Sequence, residues 1–210
     1  MALDVAVCIP WRPQPHRIAA FNYVTSWWTS QGLRVVLGDS DHEVFNISAA
    51  RNRAVTKAHA DIVIVADADT VPSMAPMTTA LRQVQKHMVI YPFSTYRYIS
   101  AEPSPDLDLE KLPAEREYRN SVGGLFVCHS ETYWELGGMD AGFERWGYED
   151  NAFHLAAETL ARVVRIPGAV YAFGHEAERD MSRQNPGASR IELYRFARRK
   201  PDIMRELVKR

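Results

Sequence analysis

Residues 61–69 read Asp61-Ile62-Val63-Ile64-Val65-Ala66-Asp67-Ala68-Asp69. A short, uninterrupted apolar run rich in β-branched residues predicts a strand over 61–66 that is buried on both faces. Open α/β sheets bind ligands outside the carboxyl ends of their strands, and two carboxylates stand at this one. Set one residue apart in a turn, Asp67 and Asp69 can converge on one hard cation, or divide between a metal and a ribose. A divalent ion there would neutralise a diphosphate and make it a better leaving group. The same acids would also suit a plain turn that caps the next helix.

The pattern on either side agrees with a sheet of that kind. Upstream, residues 3–9 form an apolar run stopped by Pro10. Residues 18–28 carry apolar positions at helical spacing before Gly32, and 33–37 read as a second strand. A helix is expected over 48–59. Downstream, Ser73 heads a helix to about residue 85, and 88–91 form a fourth strand. This alternation predicts an α/β fold with helices flanking a mixed, mainly parallel sheet. Beyond it the pattern is less regular. Residues 101–113, rich in Pro, Asp and Glu, read as a loop, and 122–128 as a strand with Gly123 and Gly124 inside it. Short helices are expected over 131–136 and 151–161, short strands over 163–164 and 169–173, and C-terminal helices over 191–199 and 202–208. There is no internal repeat.

Bulk properties narrow the function classes. The chain has 210 residues, 46% hydrophobic and 24% charged, with a formal net charge of −1. That is ordinary globular composition, and it carries no global pull toward nucleic acid or anionic lipid. Cys8 and Cys128, both in apolar runs, read as reduced core residues rather than a disulfide. The start lacks the basic residues of a signal peptide and carries Asp4, and no apolar run reaches the ~20 residues of a membrane span, so a cytoplasmic location is expected. The last sixteen residues hold seven basic side chains against Asp202 and Glu206. A solvated helix face is the default reading of that tail.

A second chemical signal is Phe143-Glu144-Arg145-Trp146-Gly147-Tyr148-Glu149-Asp150-Asn151, leading straight into a helix. Carboxylates at a helix start are favoured by the macrodipole, so Asp150 or Asn151 reads first as an N-cap. In a catalytic role, a carboxylate there would accept a proton from an attacking hydroxyl. Trp146 would offer a flat wall to a sugar ring, or else pack in the core.

Together, Val5 to Arg12 (VAVCIPWR), Phe45-Asn46, the Asp67-Ala68-Asp69 triplet, Gly123-Gly124, the Trp146-to-Asp150 segment and His175 stand in one order. That order resembles the catalytic domain of β-1,4-galactosyltransferase-type enzymes and, more loosely, polypeptide N-acetylgalactosaminyltransferases and other GT-A glycosyltransferases. The resemblance runs in pieces over residues 3–185, with 101–120 lacking a counterpart. It implies one catalytic domain with a nucleotide-binding half (1–91), an acceptor and metal-completing half (92–190) and a helical tail (191–210).

It also implies roles for individual residues. Pro10, Arg12, Phe45, Asp67, Gly124 and Trp146 would contact the donor, a UDP-linked sugar. Ile47 stands where the family has a cationic residue, so Arg51 or Arg53 would replace it. Asp67, Asp69 and His175 would hold the metal, Mn²⁺ before Mg²⁺ because an imidazole joins oxygen ligands. Asp150 would be the general base for an inverting displacement, with Glu149 binding the acceptor: a glycan, a protein or a small molecule. Tyr148 replaces a family glycine, which implies a different acceptor pocket. The rival readings are a retaining transferase of similar fold, a sugar-nucleotide hydrolase or nucleotidyltransferase, and a catalytically silent carbohydrate-binding domain.

Overall fold

A computed structural model of the chain describes residues 3–144, 147–174, 185 and 187–209. The first strand, β1 (Val5–Pro10), pairs in parallel with β2 (Arg34–Gly38) on one side and β3 (Ile62–Ala66) on the other. Helix α1 (Ile18–Ser30) connects β1 to β2, and α2 (Ile47–Ala58) connects β2 to β3. Every residue of β3 is buried, as its unbroken apolar run requires. Beyond β3 the sheet continues through β8 (Leu125–His129), β5 (Met88–Tyr91) and β9 (Arg162–Arg165), in the order β2-β1-β3-β8-β5-β9. Only β8 runs against the others, so the sheet is mixed and mainly parallel. Cys8 and Cys128 lie buried in it as free thiols.

A second sheet was not foreseen from the residues. It contains β4 (Thr70–Pro72), β10 (Ala169–Phe173), β6 (Thr95–Ile99) and β7 (Ala114–Arg119), in the order β4-β10-β6-β7. Strand β7 pairs antiparallel with β6 and forms the sheet edge, with five of its six residues exposed. Helix α3 (Met74–Gln83) follows β4, α4 (Ser130–Glu135) follows β8, and α5 (Glu149–Leu160) precedes β9. Two C-terminal helices, α6 (Gly187–Ala197) and α7 (Pro201–Val208), pack with α5 around Phe143, Ile191, Tyr194 and Met204.

Helix α2 organises the approach to the site. It lies so close to β2 that a Cβ on Gly38 would come within 2.0 Å of Ala50 O, and only glycine fits. Asn46 caps α2, its Oδ1 accepting from Ala49 N–H (2.9 Å), while its Nδ2 donates to Ala141 O (2.8 Å). Nearly two turns on, Asn52 Nδ2 donates to Met139 O, and its Oδ1 accepts from Met139 N–H, both at 2.8 Å. The 139–143 segment is thereby pinned to α2.

From the other side, α6 grips the same segment. Arg190 donates twice to Asp140 (2.6 and 2.7 Å), and Tyr194 Oη–H donates to the same carboxylate (2.9 Å). Burial opposes ionisation of Asp140, but Arg190, Gly142 N–H and Tyr194 outweigh it and hold the carboxyl below its usual range. A depressed folded-state pKa contributes stability above the unfolded pKa and loses it as pH falls through the folded one. Asp140→Asn should therefore destabilise the protein by about 1–3 kcal/mol at neutral pH. In urea titrations the gap from wild type should narrow in acid; a gap independent of pH would refute the ionic role.

Candidate active site

The carboxyl end of β3, the approach to β8 and the head of α5 meet β6 and β7 of the second sheet around a cleft of ≈ 390 Å³. Asp67, Gly123, Gly124, Glu149 and Asp150 line it, as do Arg51, Tyr148 and three tyrosines of the second sheet, Tyr96, Tyr98 and Tyr118. Its centre is Arg51, whose side chain is 2% exposed. One guanidinium nitrogen donates to Asp67 Oδ1 (2.6 Å) and another to Asp150 Oδ1 (2.8 Å), with Glu149 Oε1 at 3.9 Å. Three carboxylates thus share one guanidinium, and the cluster is two charges short of neutral when all are ionised.

That imbalance sets the electrostatics. Burial, followed by repulsion from Glu149 and Asp67, raises the Asp150 pKa well above the carboxylate range against the pull of Arg51. Burial also raises Glu149, with Arg51 opposing. Burial works against the charge on Arg51, but Asp150, Asp67 and Glu149 outweigh it and keep it protonated.

Backbone detail places each carboxylate. Asp67 N–H donates to Gly124 O (2.9 Å), and Thr70 Oγ1–H donates to the same carbonyl (3.0 Å), which ties the acidic turn to the start of β8. Gly123 and Gly124 precede β8 rather than lying within it, correcting the expectation of a strand over 122–128. The physical reason is close approach. A Cβ on Gly123 would stand 2.7 Å from Asp150 Oδ2, and Gly124, at φ +95°, would meet the Tyr96 ring at 2.5 Å. The head of α5 also differs from expectation. Its N-cap is Tyr148 at φ 72°, not Asp150 or Asn151, and Glu149 turns back to accept from Gly147 N–H (2.9 Å). Asp150 is left to face the cleft.

The nucleotide-contacting candidates Pro10, Arg12 and Phe45 are not among the residues that line this cleft. Pro10 ends β1, and Arg12 donates to Asp39 at 2.6–3.0 Å with its guanidinium 5.4 Å above the Phe45 ring. Trp11 stacks on Phe21. Of the two arginines offered for the missing cationic residue, Arg51 enters the cleft. Arg53, two residues along the same helix, faces the surface and pairs with Asp41. Asp69 is 5% exposed and pairs with Arg17 (3.1 Å), a residue that had no role in the sequence reading. The tyrosines were also missed, although Tyr96 and Tyr98 alternate as a half-buried strand demands.

A divalent ion fits these residues. The carboxylates of Asp67 and Asp69 are hard oxygen donors of the kind a dication takes, and each now rests against an arginine. Among the described residues no group of three or more His, Cys, Asp or Glu forms a cluster for a metal. The expected third ligand, His175, lies outside the described residues, as does Trp146. Strand β10 ends beside the acidic turn, Phe173 N–H donating to Asp69 O (3.0 Å), two residues before His175.

The architecture is that of the GT-A fold. Residues 104–178 match the family model described as the N-terminal domain of galactosyltransferase, a match that begins inside the stretch expected to lack a counterpart. Among solved structures, the catalytic domain of Drosophila beta1,4-galactosyltransferase 7 in complex with xylobiose is similar at a TM-score of 0.58 and 19% identity. That match covers 92% of this chain and 80% of the other. A mutant of the same Drosophila enzyme, in complex with manganese, UDP-Gal and xylobiose, gives 0.57 and 17%, over 90% and 79%. GalNAc-T7 with UDP, GalNAc and Mn²⁺ gives 0.55 and 13%, over 82% of this chain and 44% of that one. No curated protein sequence matches the chain. Among the described residues, no helix is long and apolar enough to cross a membrane.

Proposed function

We propose that this protein is a metal-dependent glycosyltransferase that moves a hexose from a UDP-sugar to an acceptor hydroxyl with inversion at the anomeric carbon. The observation that carries the reading is Arg51, a single buried guanidinium that holds Asp67 on one side and Asp150 on the other. In this reading Asp67 would serve the donor's metal and Asp150 the acceptor's proton, and that both pair with one guanidinium in one cleft supports it.

Asp67, Asp69 and His175 would hold the ion, Mn²⁺ in preference to Mg²⁺, and the ion would supply positive charge to the departing diphosphate. Pro10, Arg12 and Phe45 would take the uridine, Gly124 the passing donor backbone, and Trp146 the sugar. The Tyr96, Tyr98 and Tyr118 rings suit the apolar faces of an acceptor. Glu149 would orient the acceptor hydroxyl, and Asp150 would take its proton. As the acceptor oxygen bonds to the anomeric carbon from the opposite face, the bond to the β-phosphate oxygen breaks and its electron pair leaves with UDP.

The test is a screen of UDP-hexoses against glycan acceptors with Mn²⁺, reading UDP release and the anomeric proton of the product by NMR. Transfer should need the metal, stop with EDTA, return on adding Mn²⁺, and give the inverted anomer. Product of retained configuration would overturn the base assignment. Donor hydrolysis unaffected by any acceptor would favour a hydrolase.

A further inference from the structure

Arg17 closes a short 3-10 turn (Pro15–Arg17) at the head of α1, fifty-two residues upstream of the acid it touches. Its Nη2 stands 3.1 Å from Asp69 Oδ2, with side-chain exposures of 22% and 7%. Its Nε is buried and has no hydrogen-bond acceptor among the described residues. A buried guanidinium donor left unmatched is unfavourable unless an anionic oxygen arrives to take it. Arg51 holds Asp67 in the same fashion but is committed on several sides, to Asp150 and Glu149 as well.

We propose that Arg17 is the resident counter-cation of Asp69, displaced when a divalent ion binds, and that it then turns to the diphosphate of the donor. A guanidinium and a metal ion repel each other and compete for one carboxylate, so Arg17 opposes metal binding while no anion is present. A diphosphate reverses that relation, because the released fork can donate to its oxygens alongside the metal. Metal and donor would then bind with strong mutual dependence: each is weak alone, and each removes the obstacle to the other. The inference rests on the proposed function and assigns Arg17 a donor-binding and metal-gating part in it.

The experiment compares wild type with Arg17→Met and Arg17→Lys, first confirming folding by circular dichroism and thermal melting. Calorimetry measures Mn²⁺ alone, then UDP at saturating Mn²⁺. Arg17→Met should bind Mn²⁺ alone about tenfold more tightly and UDP about tenfold more weakly, about the effect of one charge-assisted pair in each direction. Arg17→Lys, which keeps the charge without the fork, should fall between. A purely structural arginine would weaken both affinities or neither, and either result overturns the inference. If Met fails to fold, the same two measurements on Lys decide: unchanged affinities reject the idea. Wild type binding neither Mn²⁺ nor UDP would instead defeat the transferase reading itself.

Discussion

Asp150→Asn should lower the transfer rate by about 10²–10⁴-fold, the usual contribution of a positioned general base, with UDP and Mn²⁺ binding preserved. Asparagine keeps the shape and can still accept from Arg51, whose Nη1 stands 2.8 Å from Asp150 Oδ1. It cannot take a proton at neutral pH. Single-turnover transfer measured beside UDP calorimetry separates the two effects. Turnover near that of wild type would remove Asp150 from the chemistry.

The same substitution should leave the fold at least as stable. Burial and two neighbouring acids raise the Asp150 pKa above its unfolded value. The folded state therefore binds the proton more tightly than the unfolded state. Stability falls as pH rises from the ordinary carboxylate range through the raised pKa. Asp150→Asn lacks that loss, so its melting temperature should match or exceed that of wild type on the alkaline side.

Arg51→Met is expected to act in the opposite sense and to give the largest loss of stability of any substitution considered. Methionine fills a similar volume but leaves Asp67, Glu149 and Asp150 facing one another without a cation. Removing one partner from a buried charge network destabilises by about 3–5 kcal/mol. For a domain of this size that is a drop of roughly 10 °C in melting temperature. Adding Asp150→Asn to Arg51→Met should recover part of the loss, because one of the stranded charges is gone. A double variant no more stable than Arg51→Met alone would show that the arginine acts through packing rather than charge.

Much of this was legible in the residues, for reasons that also explain what was not. Strands β1, β3 and β5 are buried on both faces, so each is a continuous apolar run ended by a turn residue. The acidic pair could be placed because it follows such a run. Strand β7 (AEREYR) escaped notice because it is an edge strand exposed at five of its six residues, and pairing with β6 rather than its own composition makes it a strand. Choosing between Arg51 and Arg53 needed the rotation of α2 against the sheet: two residues apart on a helix, their side chains leave in nearly opposite directions. Spacing alone carries no such information. Gly123 and Gly124 looked like strand interior, and only the positions of Asp150 and Tyr96 explain why no larger residue stands there. Arg17 was invisible because its partner is distant in sequence and its motif is unremarkable.

The one strand of the six-stranded sheet that runs against the others bears on how the chain is made. β8 lies between β3 and β5, with Ile64 and Ile90 both opposite Val127, so both of those inner strands wait for a neighbour that comes late in the chain. While the protein is being synthesised, three parallel strands can assemble early, leaving the far side of β3 bare until residues 125–129 leave the ribosome. Closure of the central sheet and delivery of the glycine pair to the acidic turn are then one event. A nascent chain stopped before β8 would hold neither a finished central sheet nor a closed cleft around Arg51.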